Sequence, residues 1–241
     1  MILWIVLSIV MIMAIVGIVF VNQPSFGRIP RGERLARIER SPNYRDGAFR
    51  NIHETPLMTS DKGRLQGLLG FVFKDKTELQ PNTALTVVKT DLRQIDPEED
   101  VLVWFGHSSY LVQVDGKRVL VDPVFCMASP VSFINKPFKG TDVYHPEDMP
   151  DIDYLVISHL DYHTVRALKD HIGKVICGLG VGEHFEYWGF DKERIVELDW
   201  EEEVRLDSGF VMHCLPARHF SGRGLSANKT LWASFLLETP S

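Results

Sequence analysis

Cysteine is scarce in this chain, which has 3 cysteines among 241 residues. They lie far apart, at Cys126, Cys177 and Cys214, and none belongs to a Cys-x-x-Cys pair. An odd number at this spacing argues against a disulfide framework and favours buried thiols or a reducing compartment. Without close cysteine pairs, a cysteine-based zinc site is not expected either.

An excess of basic residues is also lacking. The chain has 26 Lys and Arg against 32 Asp and Glu, which gives a formal net charge of −6. Nucleic-acid binding depends on a basic surface that neutralises phosphates, so we expect no nucleic-acid partner. The length and the 45% share of hydrophobic residues are enough for one α/β domain with a substantial core.

Charged residues are absent from the first 21 positions, where only Ser8 and Gly17 interrupt an apolar run. About 20 helical residues span roughly 30 Å, the thickness of a bilayer core. We therefore predict a transmembrane anchor over residues 1–22. A buried core helix and a cleaved signal peptide are the alternatives. The segment lacks a basic start, and residues 18–24 lack a small-x-small cleavage site.

Five arginines follow this apolar run, and no Lys or Arg precedes it. The positive-inside rule then predicts a single-pass protein with its globular part in the cytoplasm. Membrane lipid is the expected partner of the helix. The arginines either contact anionic headgroups or belong to a solvated juxtamembrane segment. They are Arg28, Arg31, Arg34, Arg37 and Arg40.

We interpret residues 23–95 as a basic juxtamembrane linker and arm, in which residues 23–60 show no sustained hydrophobic period and residues 61–95 are mixed. Residues 23–60 of this region are expected to be extended. Within it, the run Gly67–Phe73 predicts a short apolar helix that packs on the domain or faces lipid. Residues 96–241 are interpreted as the folded domain.

The domain shows clear strand and helix patterns. A hairpin is predicted around the turn Asp115-Gly116. Hairpins come first and βαβ units follow, which predicts a mixed sheet with helices on its outer face. The expected strands are 101–105, 110–114, 118–121, 152–157, 174–177, 194–198, 202–206, 210–215 and 230–237, with helices near 164–171 and 183–188.

Three glycines follow the strand that ends at Cys177, in the pattern Gly178-x-Gly180-x-Gly182. The spacing differs from the G-x-G-x-x-G fingerprint of dinucleotide-binding folds. We interpret the run as a tight turn, with nucleotide binding as the alternative.

The segment Ile157–His163 lies at a strand-to-helix corner and has the composition of a metal-binding loop. Together with several other motifs, it resembles the metallo-β-lactamase-fold hydrolases. The branch it is most similar to contains N-acyl-phosphatidylethanolamine phospholipase D and its bacterial relatives. The other motifs are Ser41–Gly47, Gly106–Ser109, Val121–Pro123, Gly178–Gly182 and Pro216–His219.

This resemblance implies an αββα sandwich, expected here to be incomplete, and a site that binds zinc. In the family the loop reads Ile-Ser-His-x-His-Tyr-Asp-His-Leu-Asp-Tyr and supplies ligands to two zinc ions. Here its two flanks are fused through His159, as if five residues were lost between two histidines. The resemblance leaves His159 and His219 as metal ligands. The family's remaining ligands are expected beyond Ser241.

Two further sets of residues complete the expected site. His159, Asp161 and His163 form an alternative set that would hold one metal ion from an extended segment. Otherwise Asp161 or Thr164 caps the following helix. By the resemblance, His107 and Asp122 belong to the opening motif and support the loop without binding the metal.

The family activity implied by the resemblance is zinc-dependent hydrolysis of phosphodiesters, with a phospholipid as the candidate substrate. Because most loop ligands are missing, we expect this activity to be impaired. The alternative is a catalytically inactive, membrane-tethered remnant or binding module.

Overall fold

The apolar runs of the domain assemble into two stacked sheets in the computed structural model, which describes residues 2–54, 70, 81–126, 138, 140–223 and 226–240. The α-helices are α1 (Ile2–Val21), α2 (Gly32–Arg40), α3 (Tyr162–Ala167) and α4 (Gly182–Tyr187). Short 3₁₀ helices are Pro24–Phe26, Leu92–Gln94, Pro146–Asp148, Lys169–His171, Lys192–Arg194 and Asp207–Gly209.

The strands follow one another along the whole described chain. They are β1 (Tyr44–Arg45), β2 (Ala48–Phe49), β3 (Val101–Gly106), β4 (Ser109–Val114), β5 (Lys117–Val121), β6 (Ile152–Ile157), β7 (Ile172–Gly178), β8 (Ile195–Leu198), β9 (Glu203–Arg205), β10 (Val211–Leu215), β11 (Gly222–Arg223), β12 (Ser226–Ala227) and β13 (Ser234–Glu238).

The larger sheet has six strands in the order β3-β4-β5-β6-β7-β8. Strands β3, β4 and β5 are antiparallel, whereas β5, β6, β7 and β8 run parallel. In the turn between β4 and β5, Asp115 has φ 47° and Gly116 has φ 71°. A two-residue turn with both φ values positive matches the twist of a hairpin. The predicted mixed sheet and its hairpin are confirmed.

Strand β6 is buried on both faces, which explains its unbroken apolar sequence. Leu155 and Ile157 pack on one side with Val165 and Leu168, from α3 and the residue that follows it. Tyr154 and Val156 face the opposite way and belong to a second hydrophobic cluster. Helices α3 and α4 lie on the first side, so the predicted helical layer is confirmed.

The smaller sheet covers the second side with three antiparallel strands in the order β13-β10-β9. Met212 and Cys214 of β10 are buried in the same cluster as Tyr154. Cys177 and Cys214 are buried free thiols, as the sequence predicts. Burial raises the pKa of Cys214 to about 12, so this thiol stays protonated at neutral pH.

Helix α1 carries the apolar N-terminal sequence. Its Leu3–Val21 window has a mean hydropathy of 3.0 and is 0% buried. A helix of this length and composition suffices to cross a membrane, and a signal sequence has the same properties. The helix is therefore as expected, and its insertion in a membrane stays a prediction.

The region after α1 differs from the extended arm expected for residues 23–60. Gly32–Arg40 form helix α2, and Ile38 and Phe49 are 0% exposed in the second hydrophobic cluster. The expectation is wrong for α2 because Ile38 supplies an apolar anchor that a short, charge-rich sequence does not reveal. The apolar helix predicted over residues 67–73 lies outside the described residues, apart from Gly70.

Candidate metal centre

The residues of the candidate site meet where strands β5 and β6 end. These strands are parallel, with Val121 opposite Val156. Because parallel strands bring their carboxyl ends to one edge of the sheet, Asp122 lies beside Ser158 and His159. We call Ser158–Asp161, the residues between β6 and α3, the ligand loop.

Asp122 fixes the backbone of the ligand loop. Its side chain is buried, and its Oδ1 accepts hydrogen bonds from the Ser158 amide at 2.6 Å and the His159 amide at 2.8 Å. The Ser158 hydroxyl donates to Oδ2 at 2.5 Å. Asp122 has φ 42°, and its backbone carbonyl accepts a hydrogen bond from the Ser109 hydroxyl. The carboxylate is therefore committed to the protein itself.

Hydrogen bonding orients the His159 ring. Nδ1 lies 3.1 Å from the Ser158 hydroxyl oxygen and 3.8 Å from Asp122 Oδ2. Since the hydroxyl donates its proton to Asp122, its oxygen accepts from Nδ1–H, which leaves Nε2 with a free lone pair. The nearby Asp122 carboxylate raises the pKa of His159, and burial opposes this. A raised pKa makes the proton a stronger competitor for any metal.

His219 faces His159 across the edge, with 4.8 Å between the ring centroids. Its Nδ1 lies 2.7 Å from the Phe220 carbonyl oxygen, which accepts only from an N–H, so Nε2 again carries the lone pair. The Asn51 side chain donates to the His219 carbonyl at 2.9 Å and accepts from the His219 amide at 3.2 Å. Sequence reasoning missed Asn51 because a single asparagine 168 positions away gives no pattern.

His107 is a third histidine at this edge, in the turn between β3 and β4. Its ring centroid lies 6.3 Å from that of His159, and its side chain is exposed. The backbone has φ 50°, and the His107 carbonyl accepts a hydrogen bond from the Trp104 indole at 3.0 Å. The structure thus brings His107, His159, His219 and Asp122 to one edge of the sheet.

The alternative set of His159, Asp161 and His163 is not brought together. Asp161 is buried and caps helix α3, accepting a hydrogen bond from the Thr164 amide at 2.9 Å. His163 is exposed on α3 and contacts the Tyr162 ring. The capping role predicted for Asp161 is confirmed. Between residues 2 and 240, the described portions contain no group of three or more His, Cys, Asp or Glu suited to a metal ion.

The donors at the edge do not fit the two-zinc centre that the family implies. Zinc sites normally take three or four protein ligands, and two-metal sites need shared carboxylates. His159 and His219 offer two imidazole nitrogens, whereas the carboxylate beside His159, that of Asp122, already accepts three hydrogen bonds. We derive no catalytic step through zinc from this arrangement.

The glycine turn after β7 is occupied by a carboxylate of the protein. The amides of Gly180 and Gly182 donate to Glu197 Oε1 at 2.7 and 3.0 Å. Gly180 has φ 93°, so the tight turn predicted from the glycines is confirmed. Glu197 takes the place that a phosphate would need in the nucleotide-binding alternative.

Comparisons with known proteins agree with this fold. A family model described as a beta-lactamase superfamily domain matches residues 117–241. An uncharacterized protein of Mycobacterium tuberculosis is 38% identical over 214 residues, which cover 84% of this chain and 56% of that protein. N-acyl-phosphatidylethanolamine-hydrolyzing phospholipase D 1 of Caenorhabditis elegans is 31% identical over 151 residues, covering 55% and 41%. A metal-dependent hydrolase of Pyrobaculum neutrophilum is 24% identical over 144 residues, covering 57% and 56%.

The chain therefore belongs to the beta-lactamase superfamily and has the metallo-β-lactamase fold. The family predicted from the sequence motifs is confirmed, and its relatives include phospholipase D enzymes and metal-dependent hydrolases. The chain spans about half the length of the curated relatives it matches, 41–56% in these three cases.

Proposed function

We propose that this chain is a membrane-anchored relative of the metal-dependent phosphodiesterases and that its own hydrolytic activity is impaired. One observation carries the proposal. The ligand loop between β6 and α3 holds one histidine, His159, and its only carboxylate, that of Asp161, is used to cap α3. The loop therefore offers a single side chain that is free to bind a metal ion.

The small number of metal-binding side chains matters because of the chemistry of phosphodiester hydrolysis. Hydrolysis of a phosphodiester at neutral pH needs a strong nucleophile and stabilisation of charge on the phosphoryl oxygens. Zinc supplies both when bound, by lowering the pKa of its water and acting as a Lewis acid. In this chain His159 and His219 would offer such an ion two imidazoles, fewer than the three or four protein ligands of a zinc site. Asp122 orients His159 through Ser158.

The membrane part of the proposal rests on α1. Its apolar window of 19 residues is long enough to span a bilayer core, and none of it is buried. Five arginines follow within 20 residues of its end, which supports a cytoplasmic position for the domain. The name of the Caenorhabditis elegans relative says that it hydrolyses a phospholipid, N-acyl-phosphatidylethanolamine. A phospholipid phosphodiester is therefore the substrate class we propose for any residual activity.

The test uses the full chain purified in detergent micelles and loaded with zinc. We expect less than one zinc ion per chain after dialysis. We also expect hydrolysis of bis(p-nitrophenyl) phosphate and of N-acyl-phosphatidylethanolamine vesicles to be no faster than for His159→Ala. His171→Ala, at an exposed histidine outside the site, is the matched control.

Two results would contradict the proposal. One is a stoichiometric zinc ion together with turnover that His159→Ala and His219→Ala abolish and His171→Ala retains. The other is recovery of the chain in the soluble fraction with α1 intact.

A further inference from the structure

The segment that follows α1 is attached to the domain by directed hydrogen bonds. The Pro24 carbonyl accepts from the Trp188 indole at 2.8 Å, and the Arg28 amide donates to His184 Nδ1 at 3.0 Å. Arg28 also forms an ion pair with Glu183 at 2.6 Å. The Pro24–Arg28 segment is thus a fixed part of the fold.

Gly27 permits the close approach of this segment to His184. It has φ 69°, a conformation that favours glycine, and a Cβ built on it would lie 2.1 Å from His184 Nδ1. That distance is far below van der Waals contact, so a larger residue at Gly27 would displace the segment from the domain.

Arg223 connects the same segment to the ligand loop. Its guanidinium donates to the Ser25 carbonyl through Nη2 at 2.6 Å and through Nε at 3.2 Å. Its Nη1 donates to the carbonyl of Leu160, in the ligand loop. The guanidinium also lies over the Trp188 ring, 5.3 Å from its centroid. One guanidinium therefore joins backbone carbonyls from two distant parts of the sequence, those of Ser25 and Leu160.

We infer that Arg223 is a positioning residue that couples the Pro24–Arg28 segment to the ligand loop. The inference goes beyond the proposed function, because it concerns how the loop is held and not which reaction it supports. A guanidinium has five donors in a fixed plane and can hold two carbonyl groups in a set relation, whereas an ammonium is a single point of charge.

The arrangement gives the ligand loop a second support, independent of Asp122. Asp122 holds the amides of Ser158 and His159, and Arg223 holds the next carbonyl, that of Leu160. Burial lowers the pKa of Arg223 to about 10, which leaves the side chain charged at neutral pH. Displacement of the Pro24–Arg28 segment would therefore weaken this second support of the loop that carries His159.

Amide hydrogen exchange on the full, metal-free chain in micelles tests this coupling. The readouts are the amides of His159, bonded to Asp122, and of Arg28, bonded to His184. We expect Arg223→Met to speed exchange at both positions by about tenfold. The ligand loop loses the charge-assisted hydrogen bond at the Leu160 carbonyl, and the Pro24–Arg28 segment loses the one at the Ser25 carbonyl. Gly27→Ala, which lies outside the loop, should also speed exchange at His159.

The double variant Gly27→Ala, Arg223→Met distinguishes coupling through Arg223 from an overall loss of stability. If Arg223 transmits the effect, Gly27→Ala adds little at His159 once Arg223→Met is present, so the two effects are not additive. Arg223→Lys should restore less than half of the protection. Arg194→Met is the matched control, because Arg194 also donates to two carbonyls, those of Gly173 and Lys169, outside the ligand loop.

The inference is overturned if Arg223→Met changes exchange at only one of the two positions, or if the effects of the two substitutions simply add. It is also overturned if Arg194→Met speeds exchange at His159 equally. Because no metal is present, these results are independent of the zinc and turnover measurements that test the proposed function.

Discussion

Two polar regions lie on different parts of the fold and differ in how many of their charged side chains are buried and paired. Where α2 meets the domain, Arg34 is mostly buried and pairs with Glu183, Glu186 and Glu197 at 2.6–2.8 Å. At the candidate metal centre, the His159 side chain is 49% exposed, whereas the Asp122 carboxylate is buried. In the first region every buried charge has an ion-pair partner. In the second, Asp122 still supports the ligand loop, but few side chains are left that could bind a metal ion.

This difference shows that the buried ion pairs in the described part of the chain lie at the contact of α2 with the domain and not at the candidate metal centre. Buried charges persist only when each is paired and hydrogen-bonded. The Arg34 network meets that condition and holds α2 in place. Beside the ligand loop, the buried Asp122 carboxylate accepts hydrogen bonds that support the loop, so it is not free to bind a metal.

The largest expected effect comes from breaking the complete network. Arg34→Met leaves the buried Glu197 without an ion-pair partner and Glu183 with Arg28 as its closest remaining partner. It should lower the free energy of unfolding by about 3–5 kcal/mol. Arg37→Met is the control, because Arg37 and Glu202 are both more than 40% exposed. Its cost should be about 0–1 kcal/mol. Urea unfolding of both variants measures the contrast, and equal losses would contradict it.

A smaller effect is expected at the candidate metal centre. Asp122→Ala leaves two backbone amides and a hydroxyl without their acceptor. The free energy of unfolding should fall by about 2–3 kcal/mol. Asp170→Ala, at an exposed aspartate, should change it by less than about 0.5 kcal/mol. A loss at Asp122 no greater than at Asp170 would mean that the carboxylate does not hold the loop.

Acid should weaken the attachment of the Pro24–Arg28 segment through His184. Burial, with Arg223 and Arg34 nearby, lowers the pKa of His184 to about 3. The unfolded chain, with a histidine pKa of about 6.5, therefore takes up a proton first as the pH falls. This costs up to about 1.4 kcal/mol per pH unit below that value, or about 2 kcal/mol between pH 7 and pH 5.

Urea unfolding at pH 7, 6 and 5 checks this expectation. His184→Asn should flatten the pH dependence by about that amount. If His184→Asn has the same pH dependence as the wild type, His184 is not held neutral in the fold.

The smallest effect is expected at His107. Its ring is exposed, and the contact that fixes the turn uses its backbone carbonyl. His107→Ala should therefore change the free energy of unfolding by less than about 0.5 kcal/mol. A loss above 1 kcal/mol in urea unfolding would assign the ring a structural role that its exposure does not indicate.

The sequence predicted those parts of the fold that leave a local pattern. Ile152–Ile157 was predicted with its observed bounds because a strand buried on both faces is continuously apolar. The turn Asp115-Gly116 was predicted because residues that tolerate positive φ mark a hairpin. Asp161 was predicted as a helix cap from its position before a helical run.

Long-range polar contacts left no such pattern. Arg34 meets its glutamates across 149–163 positions, and Arg223 meets Leu160 across 63. A single arginine or asparagine has many possible partners, and only tertiary packing selects one. For the same reason the motifs predicted which residues gather at the candidate site, but not that Asn51 holds His219.

Native mass spectrometry of the full chain in micelles, titrated with zinc, tests the central claim most directly. The claim is that the ligand loop, with His159 as its one free ligand, does not support a two-metal centre. We predict that species with two zinc ions do not form above the level seen for a His159→Ala, His219→Ala double variant. A chain that binds two zinc ions, both lost in that variant, would contradict the account.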